Sequence, residues 1–199
     1  DPTVQITWHV QEGQRCAPDQ VVLELQGNAR ALLSAERTAL NFLQLLSAVA
    51  TKTRTFVDVV AGTRAHIVDT RKTIPGLRLA HKYAVRVGGG TNHRIGLHDA
   101  VLIKENHIAA AGGVTAVLKA AQAVAAQASF IEIEVETLEQ LAARVDAGAT
   151  MVLFDNMPLP MLSEAVRINV GRAPLDISGG VTLEGRRELA ETGVAGIAI

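Results

Sequence analysis

The spacing of strand-like segments is the feature that most constrains the fold of this chain. Apolar runs in the second half of the sequence end at Glu134, Asp155, Ser178 and Ile199, which lie 21 to 23 residues apart. One strand, one helix and two short loops require about that length. Repeated units of this kind predict a parallel sheet with helices packed on it. No Gly-rich dinucleotide-binding fingerprint follows a predicted strand, so we expect a closed or nearly closed barrel rather than an open sheet.

Hydrophobic periodicity and turn residues give the order of the elements. Strands are predicted at 66–70, 100–103, 130–135, 151–154, 175–177 and 195–199, and helices at 77–87, 114–128 and 137–147. Thr137 and Gln140 have the form of a capping box at the start of the last of these helices. Thr182 is predicted to cap a further helix.

A long helix precedes the repeat. A strand at 21–25 leads into a helix that Asn28 caps and that runs to about residue 50. Apolar side chains recur along this helix at helical spacing, namely Leu32, Ala35, Ala39, Leu43 and Leu46. That pattern predicts that one face of the helix is buried.

Composition excludes several classes of function. The formal net charge is −1, so no overall field favours a nucleic acid or a membrane surface. No apolar run approaches the roughly 20 residues that span a bilayer, and the start of the chain lacks the pattern of a signal peptide. Cys16 is the only cysteine, so no internal disulfide can form, and we expect a cytoplasmic protein.

Charged residues follow the predicted strands at the same end. In parallel α/β barrels the active site lies at the C-terminal ends of the strands. The segments at those ends are 70–73, 104–106, Glu134, 155–156 and 178–180. Strand ends can be merely solvated, but a barrel with only a structural role has little reason to place this many ionisable groups around one rim. We therefore predict a functional site there.

The predicted rim carries cations and acids that suit different parts of a ligand. Arg71, Lys72, Arg94 and Lys104 are suited to carboxylate and phosphate groups. Glu134 and Asp155 are suited to Mg²⁺ or to sugar hydroxyls. Together they favour a ligand with several phosphates, a metal ion and an acidic co-substrate.

Two glycine-rich segments add weaker signals. Ser178-Gly179-Gly180 precedes a predicted helix start and is interpreted as a phosphate cradle, because free backbone N–H groups and the helix dipole point outward there, with a simple turn as the alternative. Gly88-Gly89-Gly90 begins a flexible loop that carries His93 and Arg94, and its alternative is a linker. The chain has no His-Glu-x-x-His helix, so a zinc site is not expected.

Several long segments resemble one enzyme family. They are the segments 35–41, 70–78, 88–94, 102–107, 132–134, 154–156 and 178–180, in this order and at this spacing. They resemble the quinolinate phosphoribosyltransferases, also called carboxylating nicotinate-nucleotide pyrophosphorylases, over essentially the whole chain. The resemblance implies transfer of a phosphoribosyl group from phosphoribosyl pyrophosphate to quinolinate in de novo NAD synthesis. Nicotinate mononucleotide, pyrophosphate and CO₂ are the products, and Mg²⁺ is required.

The resemblance also implies roles for individual residues. Arg71, His93 and Arg94 match positions that hold the quinolinate carboxylates, and Arg37 matches an arginine that one subunit of a homodimer donates to the site of the other. The positions that match the phosphoribosyl pyrophosphate site are Lys72, Lys104, Asn106, Ser178, Gly179 and Gly180. Lys72, Lys104, Glu134 and Asp155 match catalytic positions, and the two acids bind Mg²⁺ through the ribose or water.

The resemblance further implies an open or incomplete parallel α/β barrel (TIM-like) with part of an N-terminal α/β sandwich domain. We expect residues 1–30 to be a remnant of the sandwich, 31–60 to be a connecting helical segment, and 61–199 to be the barrel. The apolar ending at 195–199 and the late start relative to the family lead us to expect a chain that is truncated at both ends.

Three rival interpretations remain open at the level of sequence. Lys104 ends a strand and could form a Schiff base, as in an aldolase, if its pKa were lowered in a less anionic site. A related transferase could use nicotinate without decarboxylation, although the number of arginines favours a dicarboxylate. A fragment could also bind ligand without catalysis.

Overall fold

A computed structural model of the chain describes residues 1–180, 183 and 185–199. The predicted cap Thr182 lies outside the described residues. The N-terminal part consists of two antiparallel strands and a long helix: β1 (Gln5–Trp8), β2 (Leu23–Gln26) and α1 (Ala29–Val60). The repeat follows as β3 (His66–Val68), α2 (Arg78–Val87), β4 (Val101–Ile103), α3 (Glu105–Ala111), α4 (Val114–Gln122), β5 (Ile131–Val135), α5 (Leu138–Asp146), β6 (Val152–Asp155), α6 (Leu159–Asn169), β7 (Leu175–Ser178), α7 (Arg186–Glu191) and β8 (Gly196–Ala198).

The repeat forms one six-stranded parallel sheet, as predicted. The strand order is β3-β8-β7-β6-β5-β4, so the first and second strands of the repeat are its two edges. These edges do not pair with each other within the described part of the chain, which confirms an open α/β barrel rather than a closed one. Thr91 pairs with Val68 in an isolated parallel bridge, so the loop after α2 covers part of the β3 edge.

The two faces of the sheet differ in polarity. One face is apolar and buried under the helices, and it carries alternate strand residues such as Ile133, Phe154 and Ile197, each fully buried. Because side chains alternate along a strand, the intervening residues point to the other face. On that face lie Glu132, Glu134, Asp155, Asp176 and Ser178. The alternation therefore gathers ionisable groups on the face that the helices do not cover.

The long helix α1 departs from its predicted length and buried face. Asn28 caps it as predicted, because its Oδ1 accepts a hydrogen bond from Ala31 N–H at 3.2 Å. The helix continues to Val60, about ten residues farther than predicted. The predicted buried stripe is wrong in its first half, since Ala35, Ala39 and Leu43 are exposed. Only the C-terminal part of α1 packs against the repeat, where Thr53, Phe56 and Val60 are buried.

Other local predictions are confirmed with small shifts. Thr137 Oγ1 caps α5 by accepting from Gln140 N–H, but the Gln140 side chain accepts from Glu136 N–H, so the capping box is not reciprocal. The predicted strand at 21–25 is found at Leu23–Gln26, and its partner β1 was not predicted. Among the described residues, none of the helices has both the length and the apolar character needed to cross a bilayer.

Candidate active site

Acidic and basic side chains from neighbouring strands meet at the C-terminal edge of the sheet. Lys104 follows β4 directly, and its Nζ donates a hydrogen bond to Glu134 Oε2 at 2.6 Å. Asp155 and Ser178 pair in register at the ends of β6 and β7, and Ser178 Oγ donates to Asp155 Oδ1 at 3.1 Å. The structure thus brings four of the predicted site residues to one edge, as two hydrogen-bonded pairs.

The local backbone fixes Lys104 and Glu134 before any ligand is present. Lys104 is the N-cap of α3, and its backbone N–H donates to His107 Nδ1 at 2.9 Å. The Glu134 backbone carbonyl accepts from the buried guanidinium of Arg144 on α5. Asn106, in the first turn of α3, is exposed, and its Oδ1 accepts from His107 N–H. Contacts of their main chains therefore hold Lys104 and Glu134 in place at this edge.

Two arginines form a basic pocket beside this edge. Arg94 is buried to 8% exposure and Arg71 is half-buried, and neither forms an ion pair among the described residues. Burial lowers the pKa of Arg94, and the nearby Arg71 guanidinium lowers it further, whereas Glu132 and Asp99 act in the opposite direction. Two neighbouring guanidinium groups that form no ion pair can bind an anion, and their fork geometry fits carboxylates.

A third arginine ties the loops that carry this basic pocket. Arg78, at the start of α2, donates from Nη2 to the carbonyl of Arg71 and from Nη1 to the carbonyl of Ile95, both at 3.1 Å. Its Nε donates to Thr73 Oγ1 at 3.3 Å. One side chain therefore ties the main chain at Arg71 to the main chain directly after Arg94.

His93 is held between buried groups next to Arg94. Its backbone N–H donates to Asp69 Oδ1 at 2.8 Å, and its Nε2 lies 2.8 Å from Glu132 Oε2. Lys82 Nζ forms a short hydrogen bond with the same Asp69 oxygen and donates to the His93 carbonyl at 2.9 Å. The structure therefore places the predicted residue His93 against Asp69, Glu132 and Lys82, partners that the sequence did not reveal.

Four of the six residues predicted to bind phosphoribosyl pyrophosphate line a cavity, whereas Lys104 and Asn106 do not. A cavity of about 730 Å³ lies between α1 and the ends of β3, β7 and β8, and Lys72 and Ser178-Gly179-Gly180 contribute to its lining. Lys104 and Glu134 lie outside that lining, but the Asp155–Ser178 hydrogen bond joins the cavity to the acidic edge. Arg37 lies in the exposed half of α1 and is not brought to either place within one chain.

The backbone of the Ser-Gly-Gly segment requires a glycine at position 179. Gly179 has a φ of +81°, and a Cβ there would lie 2.3 Å from Asn156 Oδ1. Only glycine therefore fits this approach. The described helix α7 begins at Arg186, and the helix start predicted at Thr182 lies outside the described residues.

Several contributing residues were not predicted from the sequence. Lys82, Arg78 and Arg144 lie on helices, where no local pattern distinguishes them from solvated cations. Glu132 was recognisable in principle, because its spacing from Glu134 places both on one face of β5. Among the described residues, no group of three or more acidic, histidine or cysteine side chains forms a metal site.

Ionisable side chains gathered at the C-terminal ends of parallel strands are typical of enzymes of the α/β barrel class. Comparison with known proteins gives the family. The family model of the quinolinate phosphoribosyl transferase C-terminal domain matches residues 49–199, and that of the N-terminal domain matches residues 2–47. The chain belongs to the quinolinate phosphoribosyltransferase family. The predicted boundaries at residues 30 and 60, between the sandwich remnant, the connecting helix and the barrel, stay a prediction.

Similar proteins are found among curated sequences and solved structures. The chain is 44% identical over 194 residues to the probable carboxylating nicotinate-nucleotide pyrophosphorylase of Bacillus subtilis (strain 168), covering 98% of the chain and 67% of the relative. It is 46% identical over 198 residues to the nicotinate-nucleotide pyrophosphorylase of Mycobacterium leprae (strain TN), covering 98% and 69%. The solved nicotinate-nucleotide pyrophosphorylase from Francisella tularensis has a TM-score of 0.95 and 43% identity, covering 100% of the chain and 71% of that protein.

Proposed function

We propose that this site transfers the phosphoribosyl group of phosphoribosyl pyrophosphate to quinolinate with decarboxylation, which yields nicotinate mononucleotide, pyrophosphate and CO₂. The reaction is a step of de novo NAD synthesis. The observation that carries the proposal is that Arg78 ties the segments of Arg71 and Arg94 together and that these two arginines have no ion-pair partner among the described residues. Such a pair suits a dicarboxylate, and relatives named for this reaction support it.

Different residues of the site bind the two substrates. Arg71, His93 and Arg94 bind the quinolinate carboxylates, and Arg37 of a second copy of the chain completes that pocket. The phosphoribosyl pyrophosphate is bound by Lys72, Lys104, Asn106, Ser178, Gly179 and Gly180. Binding both substrates orients the pyridine nitrogen towards the anomeric carbon, which supplies proximity.

The chemistry follows from developing charge at the sugar. As the bond from the ring nitrogen to the anomeric carbon forms and the bond to pyrophosphate breaks, positive charge develops on the sugar. Glu134 and Asp155 stabilise it by preorganised electrostatics, while Lys104 and Lys72 neutralise the departing pyrophosphate. The carbon–carbon bond to one carboxylate then breaks, CO₂ leaves, and the electron pair left on the ring carbon takes up a proton. The arginine pocket stabilises the anionic character of that carbon.

We further propose that Mg²⁺ binds at the C-terminal edge of the sheet, next to Glu134 and Asp155. Magnesium usually keeps several waters and uses one or two carboxylates together with substrate phosphates. Glu134 and Asp155 supply that number of carboxylates, and each already has a hydrogen-bond partner that a ligand can displace. When bound there with the substrate, the ion supplies charge neutralisation at the pyrophosphate.

We also propose a homodimer in the cytoplasm, with no nucleic acid or membrane partner. Exposed apolar side chains in the first half of α1, among them Leu33 and Phe42, support a surface that another subunit covers. The net charge of −1 supports the absence of polyanionic partners. An aldolase is not favoured, because the Lys104 side chain is 47% exposed and paired with Glu134, whereas Schiff-base lysines are desolvated.

Release of CO₂ from quinolinate, with and without phosphoribosyl pyrophosphate, tests the proposal. We expect release only when both substrates are present, and no product when nicotinate replaces quinolinate. Arg94→Ala should raise the KM for quinolinate roughly 10- to 100-fold, the worth of charge-assisted hydrogen bonds, with a much smaller effect on phosphoribosyl pyrophosphate.

The matched control is Arg64→Ala, since Arg64 is an exposed arginine before β3, at the opposite end of the strand. It should leave both KM values unchanged. Equal effects of Arg94→Ala on the two substrates would contradict the assignment of the arginine pocket, and CO₂ release without phosphoribosyl pyrophosphate would contradict the reaction itself.

A further inference from the structure

The main chain of His93 is fixed by a buried network that reaches it from two elements. Asp69 follows β3 and accepts from His93 N–H, and Lys82 on α2 donates to the His93 carbonyl. Asn92 Nδ2 donates to Asp69 Oδ2 at 2.7 Å and to the Lys82 carbonyl at 2.8 Å. Lys82 is only 3% exposed and Asp69 only 6%. Both peptide groups of His93 are therefore held in a water-excluded environment, where such bonds are strongest.

The ring of His93 is fixed separately. Its Nε2 lies 2.8 Å from Oε2 of Glu132, whose side chain is fully buried. The ring also packs edge-on against Phe130, with 4.7 Å between the ring centroids. Glu132 Oε1 has no hydrogen-bond partner, so His93 is the only described residue that hydrogen-bonds this carboxyl group.

The chemistry of this contact decides which ring nitrogen remains for a ligand. The contact between His93 Nε2 and Glu132 Oε2 occupies one ring nitrogen and leaves Nδ1 as the nitrogen available to a ligand. Among the described residues, no protein group hydrogen-bonds Nδ1. A carboxylate that fixes one nitrogen of a histidine and thereby sets the role of the other is a well-established arrangement where histidine binds a metal.

We propose that Glu132 is a positioning residue for substrate binding, which holds the His93 ring through Nε2 so that Nδ1 is the atom presented to a quinolinate carboxylate. The inference rests on the proposed function, because quinolinate is the ligand it invokes. Glu132 does not touch the substrate in this arrangement; it acts through His93.

Kinetics of two Glu132 variants test the proposal. Glu132→Leu removes the acceptor, and Glu132→Gln keeps an oxygen that can accept from Nε2–H. Loss of such a carboxylate from a metal-binding histidine costs roughly 10- to 100-fold, and we expect the lower end, about a tenfold rise in the KM for quinolinate, for Glu132→Leu. The KM for phosphoribosyl pyrophosphate should stay within about twofold, and Glu132→Gln should restore most of the loss.

The matched control is Glu139→Gln, which neutralises an exposed carboxylate on α5. It should behave as the wild type. A merely structural role of Glu132 would instead lower the amount of folded enzyme or change both KM values alike, and Glu132→Gln would not rescue the effect on quinolinate. Either of those results would overturn the proposal.

Nitrogen-15 NMR of the histidine side chains provides a readout that does not require turnover or a folded Leu variant. The six histidines are labelled, and the His93 signals are assigned by their loss in His93→Gln. On addition of quinolinate we expect the Nδ1 signal of His93 to shift more than its Nε2 signal, because Nε2 stays in contact with Glu132. A shift confined to Nε2 would overturn the proposal. If the wild type does not turn over, the proposed function fails, while the NMR result still decides the Glu132–His93 contact.

Discussion

Two lysine–carboxylate pairs at the C-terminal edge of the sheet differ in how far their lysines are exposed to solvent. In the pair of Lys82 and Asp69 the side chains are 4% and 8% exposed, whereas in the pair of Lys104 and Glu134 they are 47% and 12% exposed. Lys82 also donates to the His93 carbonyl, and Asp69 accepts from two further groups. Lys104 Nζ has no partner other than Glu134 among the described residues.

The difference shows how the same chemical pair serves structure in one place and ligand binding in another. Ions that are removed from water need additional hydrogen bonds to offset desolvation, and the inner pair has them. An ion pair open to solvent contributes little to stability, but its lysine can exchange the carboxylate for a phosphate at small cost. We therefore assign the inner pair to the scaffold of the site and the outer pair to its chemistry.

Breaking the inner pair should have the largest effect on stability. Lys82→Met leaves Asp69 as an uncompensated buried charge, and we expect the free energy of unfolding to fall by about 3 to 5 kcal/mol in urea denaturation. Adding Asp69→Asn to Lys82→Met removes that charge, so the double variant should recover part of the loss. An unfolding midpoint of Lys82→Met equal to that of the wild type would contradict a scaffold role.

Asp176 is a buried carboxyl group without a basic partner in the described part of the chain, in contrast to Asp69 of the inner pair. Asp176 is 5% exposed and forms no ion pair among the described residues. Burial, and next the charge of Glu132, raise its pKa to about 7 from an ordinary value of 3.8, while His93 acts in the opposite direction. Between about pH 4 and pH 7 the folded state therefore binds a proton that the unfolded chain has lost. The contribution of this proton to the free energy of unfolding is complete below about pH 4, declines as the pH rises towards 7, and is absent above that.

Asp176→Asn tests this dependence, because the amide cannot ionise and its oxygen still accepts from the Gly196 backbone. A tenfold change in an ionisation constant is worth about 1.4 kcal/mol, so we expect the variant to be more stable than the wild type by about 2 to 4 kcal/mol near pH 8. The gain should disappear as the pH approaches about 4. Urea denaturation over that range measures it, and a gain independent of pH would contradict the assignment to Asp176.

The comparison also explains which parts of the molecule could be predicted from the sequence. Lys104, Glu134 and Asp155 were predicted because strand ends can be recognised from apolar runs, and parallel strands end at one edge. Lys82 was not, because its burial depends on the tertiary packing of α2 over β3, which no local pattern records. The buried stripe of α1 was predicted wrongly for a related reason: helical spacing identifies an apolar face, but not the element that covers it.

The outer pair should show the smallest change in stability for the same type of substitution. We expect Lys104→Met to change the free energy of unfolding by less than about 1 kcal/mol, because the pair is open to solvent. Its kcat should nevertheless fall on the order of 100-fold, since the lysine neutralises charge at the departing pyrophosphate. Lys119→Met, an exposed lysine on α4, is the matched control and should affect neither quantity. Two results would contradict the assignment of the inner pair to the scaffold and the outer pair to the chemistry. One is a loss of stability in Lys104→Met as large as that in Lys82→Met, and the other is an unchanged kcat of Lys104→Met. In either case burial would not separate the roles of the two pairs.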